Sequence, residues 1–271
     1  MSSKKVVIVT GASAGIGRAV AIKYAKEKYN LVLVALEGDQ LSMLSKDLKA
    51  QYGADCLVCA GDLADAIFLR SIISQTIEKW NAIHVLVNNA AWRTIETMRS
   101  MELQTWERTL SICLTAPAFL AKWSAEAMER NNIPGTIINI SSVMSERAGG
   151  ISPAYSASKG ALESLTYELA VTYGRSFIRV VCVQPGNVDT NMNSDYTSQS
   201  GENVSRQLSD HVNDLSPLPR AGTPEEIAEA IYWVSSQNAS FVTGITLKID
   251  GGLSHNFNAY SVKKIQFPNE F

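Results

Sequence analysis

Residues 5–17 read KVVIVTGASAGIG, and their reading decides the fold. Five apolar or β-branched residues, Val6 to Thr10, run without polar interruption, as in a strand buried on both faces. TGASAGIG (10–17) follows at once, and from Gly15 a helical pattern begins in which Ile16, Val20 and Tyr24 recur every four residues to make one apolar face. Gly11, Gly15 and Gly17 let the backbone turn tightly between strand and helix and approach a ligand closely. The N–H groups that open a helix are unpaired and carry partial positive charge, so a strand–glycine turn–helix unit is suited to a phosphate.

Outward from this unit the chain alternates. Short apolar runs at Lys5–Thr10, Asn30–Leu36, Asp55–Ala60, His84–Asn88, Gly135–Ile140, Ile178–Val183 and Thr246–Ile249 read as strands. Helical patterns at Gly15–Lys28, Asp39–Gln51, Ala64–Trp80, Glu102–Arg130 and Tyr155–Tyr173 separate the first six. A further helix, Pro224–Ser235, has Thr223 as its cap, proline in its first turn and Glu225 and Glu226 behind it. Buried strands alternating with helices predict an α/β domain with a parallel sheet covered on both sides. No linker or internal repeat divides residues 1–253. Only 191–220, rich in Ser, Asn and Asp, and the tail 254–271 depart from the alternation. A loop of that length in a compact domain is usually functional or mobile.

Composition narrows the class. The 271 residues are 46% hydrophobic and 18% charged with a formal net charge of −2, as expected of a soluble globular protein. No apolar run reaches the ~18 residues of a membrane span, no secretory leader is read, and no basic block points to nucleic acid. The CLVC at 56–59 has the form of a redox or zinc pair. It lies in a strand-like apolar run with no second pair and no clustered histidine, so it reads as core cysteine in a reducing, cytoplasmic compartment, and no metal is expected.

YSASK (155–159) sets Tyr155 and Lys159 four apart, on one face of a helix. Alone that spacing is common. With the glycine turn TGASAGIG, NNAA at 88–91, SS at 141–142, PGNVDT at 185–190 and DGG at 250–252, in this order and spacing, the chain resembles the short-chain dehydrogenase/reductase family from about Val6 to Gly252. The resemblance implies a single Rossmann-type doubly wound domain, a seven-stranded parallel sheet with helices on both faces, and assembly as a homodimer or homotetramer. It also implies that Gly11, Ser13, Ile16 and Gly17 hold the pyrophosphate and adjoining ribose of a nicotinamide dinucleotide. Asp62 and Leu63 would flank the adenine, Asn89 and Ala90 the middle of the cofactor, and Pro185, Gly186, Val188 and Thr190 its nicotinamide half. Ser142, Tyr155 and Lys159 match the family's catalytic triad, Tyr155 and Lys159 also touching the cofactor.

The chemistry gives these three separate reasons to be present. Transferring a hydride to a carbonyl leaves an alkoxide that needs a proton, and the reverse reaction needs a base. A phenol holds its proton tightly at neutral pH, and an ammonium group ~4 Å away at an effective dielectric of ~20 favours the phenolate by roughly 4 kcal/mol. A serine hydroxyl can donate to the substrate oxygen as charge develops there. The expected function is oxidoreduction between an alcohol and a ketone or aldehyde; the alternative is a cofactor-binding regulatory or scaffold protein with little turnover.

Two positions depart from the family pattern. Counting seven from Trp106, the place where many members carry asparagine holds Cys113, read either as a buried cysteine or as a slowed proton relay. At the end of the second strand the usual aspartate position holds Ala35, while Glu37 stands twenty residues beyond Gly17. There an acidic side chain can accept from the ribose 2′-hydroxyl and repel a 2′-phosphate. NAD(H) is therefore the expected cofactor, with NADP(H) as the alternative. Trp92, Arg93, Met144, Glu146, Arg147 and the loop are expected to rim the pocket for a small-molecule alcohol or carbonyl, and the loop's polarity favours a hydroxylated one.

Overall fold

The computed structural model describes residues 4–194, 196–198 and 200–271; the first three residues, and Asp195 and Gln199 of the expected substrate loop, lie outside the described residues. Seven strands, β1 (Val6–Thr10), β2 (Asn30–Ala35), β3 (Cys56–Ala60), β4 (Val85–Asn88), β5 (Thr136–Ile140), β6 (Arg179–Pro185) and β7 (Thr246–Ile249), form one sheet in the order β3-β2-β1-β4-β5-β6-β7. Every pairing is parallel. Between them run α1 (Gly15–Lys26), α2 (Gly38–Tyr52), α3 (Ala66–Trp80), α4 (Leu103–Leu110), α5 (Ala116–Arg130), α6 (Pro153–Tyr173), α7 (Ser205–Leu215) and α8 (Pro224–Ser235), with α9 (Tyr260–Gln266) in the tail. This is the Rossmann-type architecture expected.

The period of two in β1 explains the layering. All five of its residues are buried; Val7 and Val9 face one core, with Val20 and Tyr24 of α1, Leu41 and Leu44 of α2 and Ile231 of α8. Val6 and Ile8 face the other, with Ile72 of α3 and Leu120 of α5. A strand with no solvent face must be apolar throughout, as the sequence is. The order of strands reverses direction between β1 and β4, and in such sheets the crevice outside the carboxyl ends at that point is the ligand-binding place.

Several boundaries differ from the sequence reading for local reasons. The expected helix 64–80 starts at Ala66 because the Asp65 carboxylate accepts from the N–H groups of Ile67 and Phe68 at 2.8 and 3.4 Å, which caps it. The long helix expected over 102–130 is two helices joined by a π turn at Ser111–Thr115. The Tyr155 helix begins two residues earlier, with Pro153 in its first turn. The loop 191–220 and the tail each contain a helix, α7 and α9, which the polar sequence did not announce. Among the described residues no helix is long and apolar enough to cross a membrane.

Candidate active site

The motif residues converge on the carboxyl ends of β1 to β6. In the glycine turn, Gly11 adopts φ +67°, and a Cβ at Gly17 would stand 2.1 Å from the carbonyl oxygen of Gly11 and 2.6 Å from the Asn89 amide nitrogen. The turn is therefore closed on itself as only glycine permits. Asn89 staples it to β4: its Nδ2 donates to the carbonyls of Thr10 and Gly11 at 2.9 and 3.4 Å, and the N–H groups of Asn89 and Ala90 donate to Thr10 Oγ1 at 2.9 and 3.0 Å. Helix α1 then starts with no side-chain cap and no acidic residue in its first turn, so no side chain of its own competes with an anion for its leading N–H groups. A dinucleotide pyrophosphate fits this cradle. Across from it, a Cβ on Gly15 would lie 3.3 Å from Cγ2 of Thr190, so the loop after β6 closes the other side.

The remaining residues expected at the cofactor fall around the same crevice. Ser13 donates its hydroxyl to Glu37 Oε2 at 2.8 Å, which sets a carboxylate beside the glycine turn. Asp62, after β3, accepts from the Ala64 N–H at 2.9 Å and from Arg108 at 3.0 Å; these contacts, the backbone one first, hold its carboxyl below the usual carboxylate value. Leu63 and Val188 are buried. Pro185 ends β6, and Gly186 packs so closely that a Cβ would sit 2.7 Å from Asp250.

Tyr155 and Lys159 share one face of α6 and are buried, 7% and 2% exposed. The Lys159 ammonium lies 5.4 Å from the centroid of the Tyr155 ring and donates to the Ile140 carbonyl at 2.6 Å. Among the described residues it has no carboxylate within salt-bridge range. A buried ammonium favours any neighbour that becomes negative. Ser142 follows β5, half-buried, its Oγ accepting from the Met144 N–H at 3.2 Å. The Tyr155 ring packs with Ile112 and Cys113 in an apolar cluster flanked by Ala91, Trp92 and Met144.

Cys113 is fully buried in the π turn. Its sulfur accepts from the Trp92 N–H at 3.3 Å and donates to the Trp92 carbonyl at 3.4 Å. The thiol thus uses its weak donor and acceptor together to hold the segment after β4, and the buried-cysteine reading is the one the geometry favours.

The expected substrate rim is only partly assembled as expected. Trp92 and Met144 line the Tyr155 cluster. Arg93 instead reaches the loop, donating to the Met192 carbonyl at 2.5 Å and lying 5.1 Å from the Tyr196 ring centroid. Glu146 pairs with Lys248 at 2.5 Å, and Arg147 donates to the carbonyls of Leu253 and, in the tail, Asn256. The CLVC cysteines point to opposite faces of β3, Cys56 toward one core and Cys59 into the other, and burial pushes Cys59 up to about 11. They are not a chelating or redox pair.

A family model described as Enoyl-(Acyl carrier protein) reductase matches residues 11–254. Glucose 1-dehydrogenase 2 of Bacillus subtilis (strain 168) is 33% identical over 251 residues, 92% of this chain and 95% of that one. The chain belongs to the short-chain dehydrogenase/reductase family. A fungal member, short chain dehydrogenase/reductase astE of Aspergillus oryzae, is 32% identical over 92% of this chain and 95% of its own length. Among solved members of the family, L-sorbose reductase from Gluconobacter frateurii, complexed with NADPH and L-sorbose, superposes with a TM-score of 0.87 at 28% identity, covering 94% of this chain and 98% of that one. The protein is thus an NAD(P)-dependent oxidoreductase of the short-chain type, acting on a small molecule.

Sequence reasoning missed one buried group beside this site. Glu163, four residues beyond Lys159 and eight beyond Tyr155, lies on the same helix face and is 8% exposed. A charged residue continuing the 155, 159 spacing was the available signal.

Proposed function

We propose that this enzyme interconverts an alcohol and its ketone or aldehyde, with Tyr155 as general acid and base. The observation that carries this reading is the buried Lys159 ammonium beside the Tyr155 ring, which forms no ion pair among the described residues. In the direction of oxidation the Tyr155 phenolate takes the proton of the substrate hydroxyl; in reduction the phenol returns it to the carbonyl oxygen. Lys159 stabilises the phenolate between these steps. Ser142 donates its hydroxyl to the same substrate oxygen. A bound nicotinamide supplies the hydride acceptor or donor. Gly11, Ser13, Ile16 and Gly17 would hold the dinucleotide's pyrophosphate and adjoining ribose, Asp62 and Leu63 would flank its adenine, Asn89 and Ala90 would line its middle, and Pro185, Gly186, Val188 and Thr190 its nicotinamide half.

We favour NAD(H), because Glu37, held beside the glycine turn by Ser13, can accept from a ribose 2′-hydroxyl and repel a 2′-phosphate. The NADPH in the sorbose reductase complex favours NADP(H) as the second reading. Fluorescence titration decides between them: tighter binding of NADPH than NADH removes the Glu37 argument. The glucose and sorbose specificities named for two relatives, together with the polar loop after β6, support a hydroxylated substrate such as a sugar or polyol. Exposed Phe119, Tyr167, Val171 and Phe177 on or near α5 and α6, Trp233 on α8, and Phe241 and Ile245 just before β7 support assembly into a homodimer or homotetramer, which light scattering reads directly.

The deciding experiment follows NADH absorbance on a panel of sugars, polyols and simple ketones, with Tyr155→Phe as control. Turnover by the wild type that vanishes in the variant is the expected result. Turnover that survives Tyr155→Phe contradicts the mechanism, and no turnover on the panel favours the cofactor-binding scaffold.

A further inference from the structure

Glu163 is an odd residue to find behind the site. Its carboxylate is buried and, among the described residues, forms no ion pair. Its Oε1 instead accepts three hydrogen bonds: from the hydroxyl of Ser141 at 2.5 Å, from the hydroxyl of Ser145 at 2.6 Å and from the Gln184 amide at 3.0 Å. The two hydroxyl distances fall in the range of charge-assisted O–H···O⁻ bonds. Burial pushes the nearby Cys182 thiol up to about 12, and the negative charge of Glu163 adds to that.

The donors are not scattered. Ser141 and Ser145 bracket Ser142, one immediately before it and one a turn after. The Ser145 hydroxyl also reaches the carbonyl of Ser142 itself at 2.7 Å, and Gln184 of β6 donates to Ser145 Oγ at 2.8 Å. The Ser141 hydroxyl meets the carbonyl of Lys159 at 3.2 Å. One oxygen on α6 thus ties the segment that carries Ser142 to the same helix that carries Tyr155 and Lys159. Between β5 and α6 that segment has only a short 3-10 turn of its own, Val143–Ser145, so its position depends on such ties.

We infer that Glu163 is a positioning residue: it fixes the Ser142 hydroxyl in register with the Tyr155 hydroxyl by anchoring Ser141 and Ser145 to α6. It touches no substrate and acts only through Ser142. The inference rests on the reading of Ser142 and Tyr155 given above. A catalytic group misplaced by about 1 Å can lose ~100-fold in rate, and this is the scale of effect expected.

The test uses Glu163→Leu, Glu163→Gln and Ser145→Ala, each alone and in a Ser142→Ala background. Glu163→Leu keeps the side-chain volume but leaves three buried donors without their acceptor, so it also costs stability; Ser145→Ala removes one tie without touching the carboxylate, should that protein fail to fold. In the wild-type background Glu163→Leu is expected to lower kcat by ~10- to 100-fold, with the NADH dissociation constant unchanged. Glu163→Gln keeps the acceptor oxygen and should restore kcat to within about threefold of wild type, a difference of under ~1 kcal/mol. In the Ser142→Ala background Glu163→Leu and Ser145→Ala should have little further effect, because two residues acting as one unit are non-additive.

An undiminished loss in that background overturns the proposal, as does a Glu163→Gln enzyme as slow as Glu163→Leu, which would mean that the charge itself acts. Failure of the underlying reading shows separately, as wild-type protein that binds NADH and turns over nothing. Crystal structures of wild type and Glu163→Leu then decide the matter: Ser142 Oγ displaced by about 1 Å or more supports the assignment, and an unmoved Ser142 sinks it.

Discussion

At the scale of single residues, the site is defined by groups whose neighbours suit them to one task. The Tyr155 ring is enclosed by Ile112, Cys113, Trp92 and Met144, so little water competes for its proton. Tyr155→Phe preserves that packing and removes only the hydroxyl. It should cost ~10²- to 10⁴-fold in kcat, the usual contribution of acid–base catalysis, while NADH affinity in a fluorescence titration falls far less, by the loss of one hydroxyl contact. Cys113 tests a different point. Cys113→Ala leaves the Trp92 N–H and carbonyl without their partner and should destabilise the protein by ~1–3 kcal/mol in urea unfolding, whereas Cys113→Asn should keep or raise turnover. Abolished turnover in Cys113→Asn contradicts the account of the thiol as a substitute that holds Trp92. Tyr155, Lys159 and Ser142 could be singled out as candidates from the sequence because their spacing is local and their company distinctive. Glu163 was not, since a glutamate in a helix is ordinary until its burial and three donors are known.

Elements succeed or fail by their ends. Helix α8 begins with a reciprocal cap: Thr223 Oγ1 accepts from the Glu226 N–H at 3.2 Å while Glu226 accepts from the Thr223 N–H at 2.8 Å. That start was readable from Thr, Pro and Glu in sequence, and Thr223→Ala should cost ~1 kcal/mol of stability in denaturant unfolding. The glycine turn is equally local. Gly17→Ala forces a Cβ to within 2.1 Å of a backbone oxygen that cannot step aside, so both stability and dinucleotide affinity should fall. Calorimetry showing wild-type affinity in that variant would contradict the cradle. What escaped reading were α7 and α9, whose patterns are polar and short. They are held by contacts distant in sequence: Asp214 of α7 accepts from the N–H and hydroxyl of Ser261 at 2.9 and 2.5 Å, and Asn256 donates to the Leu215 carbonyl at 2.7 Å. No window of residues contains both partners. The π turn went unseen for a related reason, since the sequence carries a continuous helical pattern across 102–130.

For the molecule as a whole, the strand count, their parallel sense and the two-sided core followed from the alternation of apolar runs and helices. The pairing order also depends on which helix crosses which face. Charge sets the acid limit of the assembly. Glu226 faces the Arg220 fork at 2.7 and 2.8 Å, which lowers its pKa from 4.5 to about 2, and Asp62 is lowered in the same direction. A carboxyl depressed in the folded state contributes stability above its ordinary value and loses it as pH falls through the folded one. His84, half-buried and accepting from the Val6 N–H at 3.0 Å, is pushed below 6.5 by that burial, so it too disfavours acid. The melting temperature should therefore decline as pH drops below about 6.5, and more steeply below about 4.5; a rise over that interval contradicts these assignments. The four cysteines offer a way to watch the molecule open. All are free, Cys59, Cys113 and Cys182 are shut away in different regions, and Cys56 alone is partly accessible. Alkylation followed by peptide mass mapping should therefore tag Cys56 first, and the other three only as fast as their own surroundings breathe, so that Cys113 becomes an internal clock for excursions of the wall around the reactive phenol.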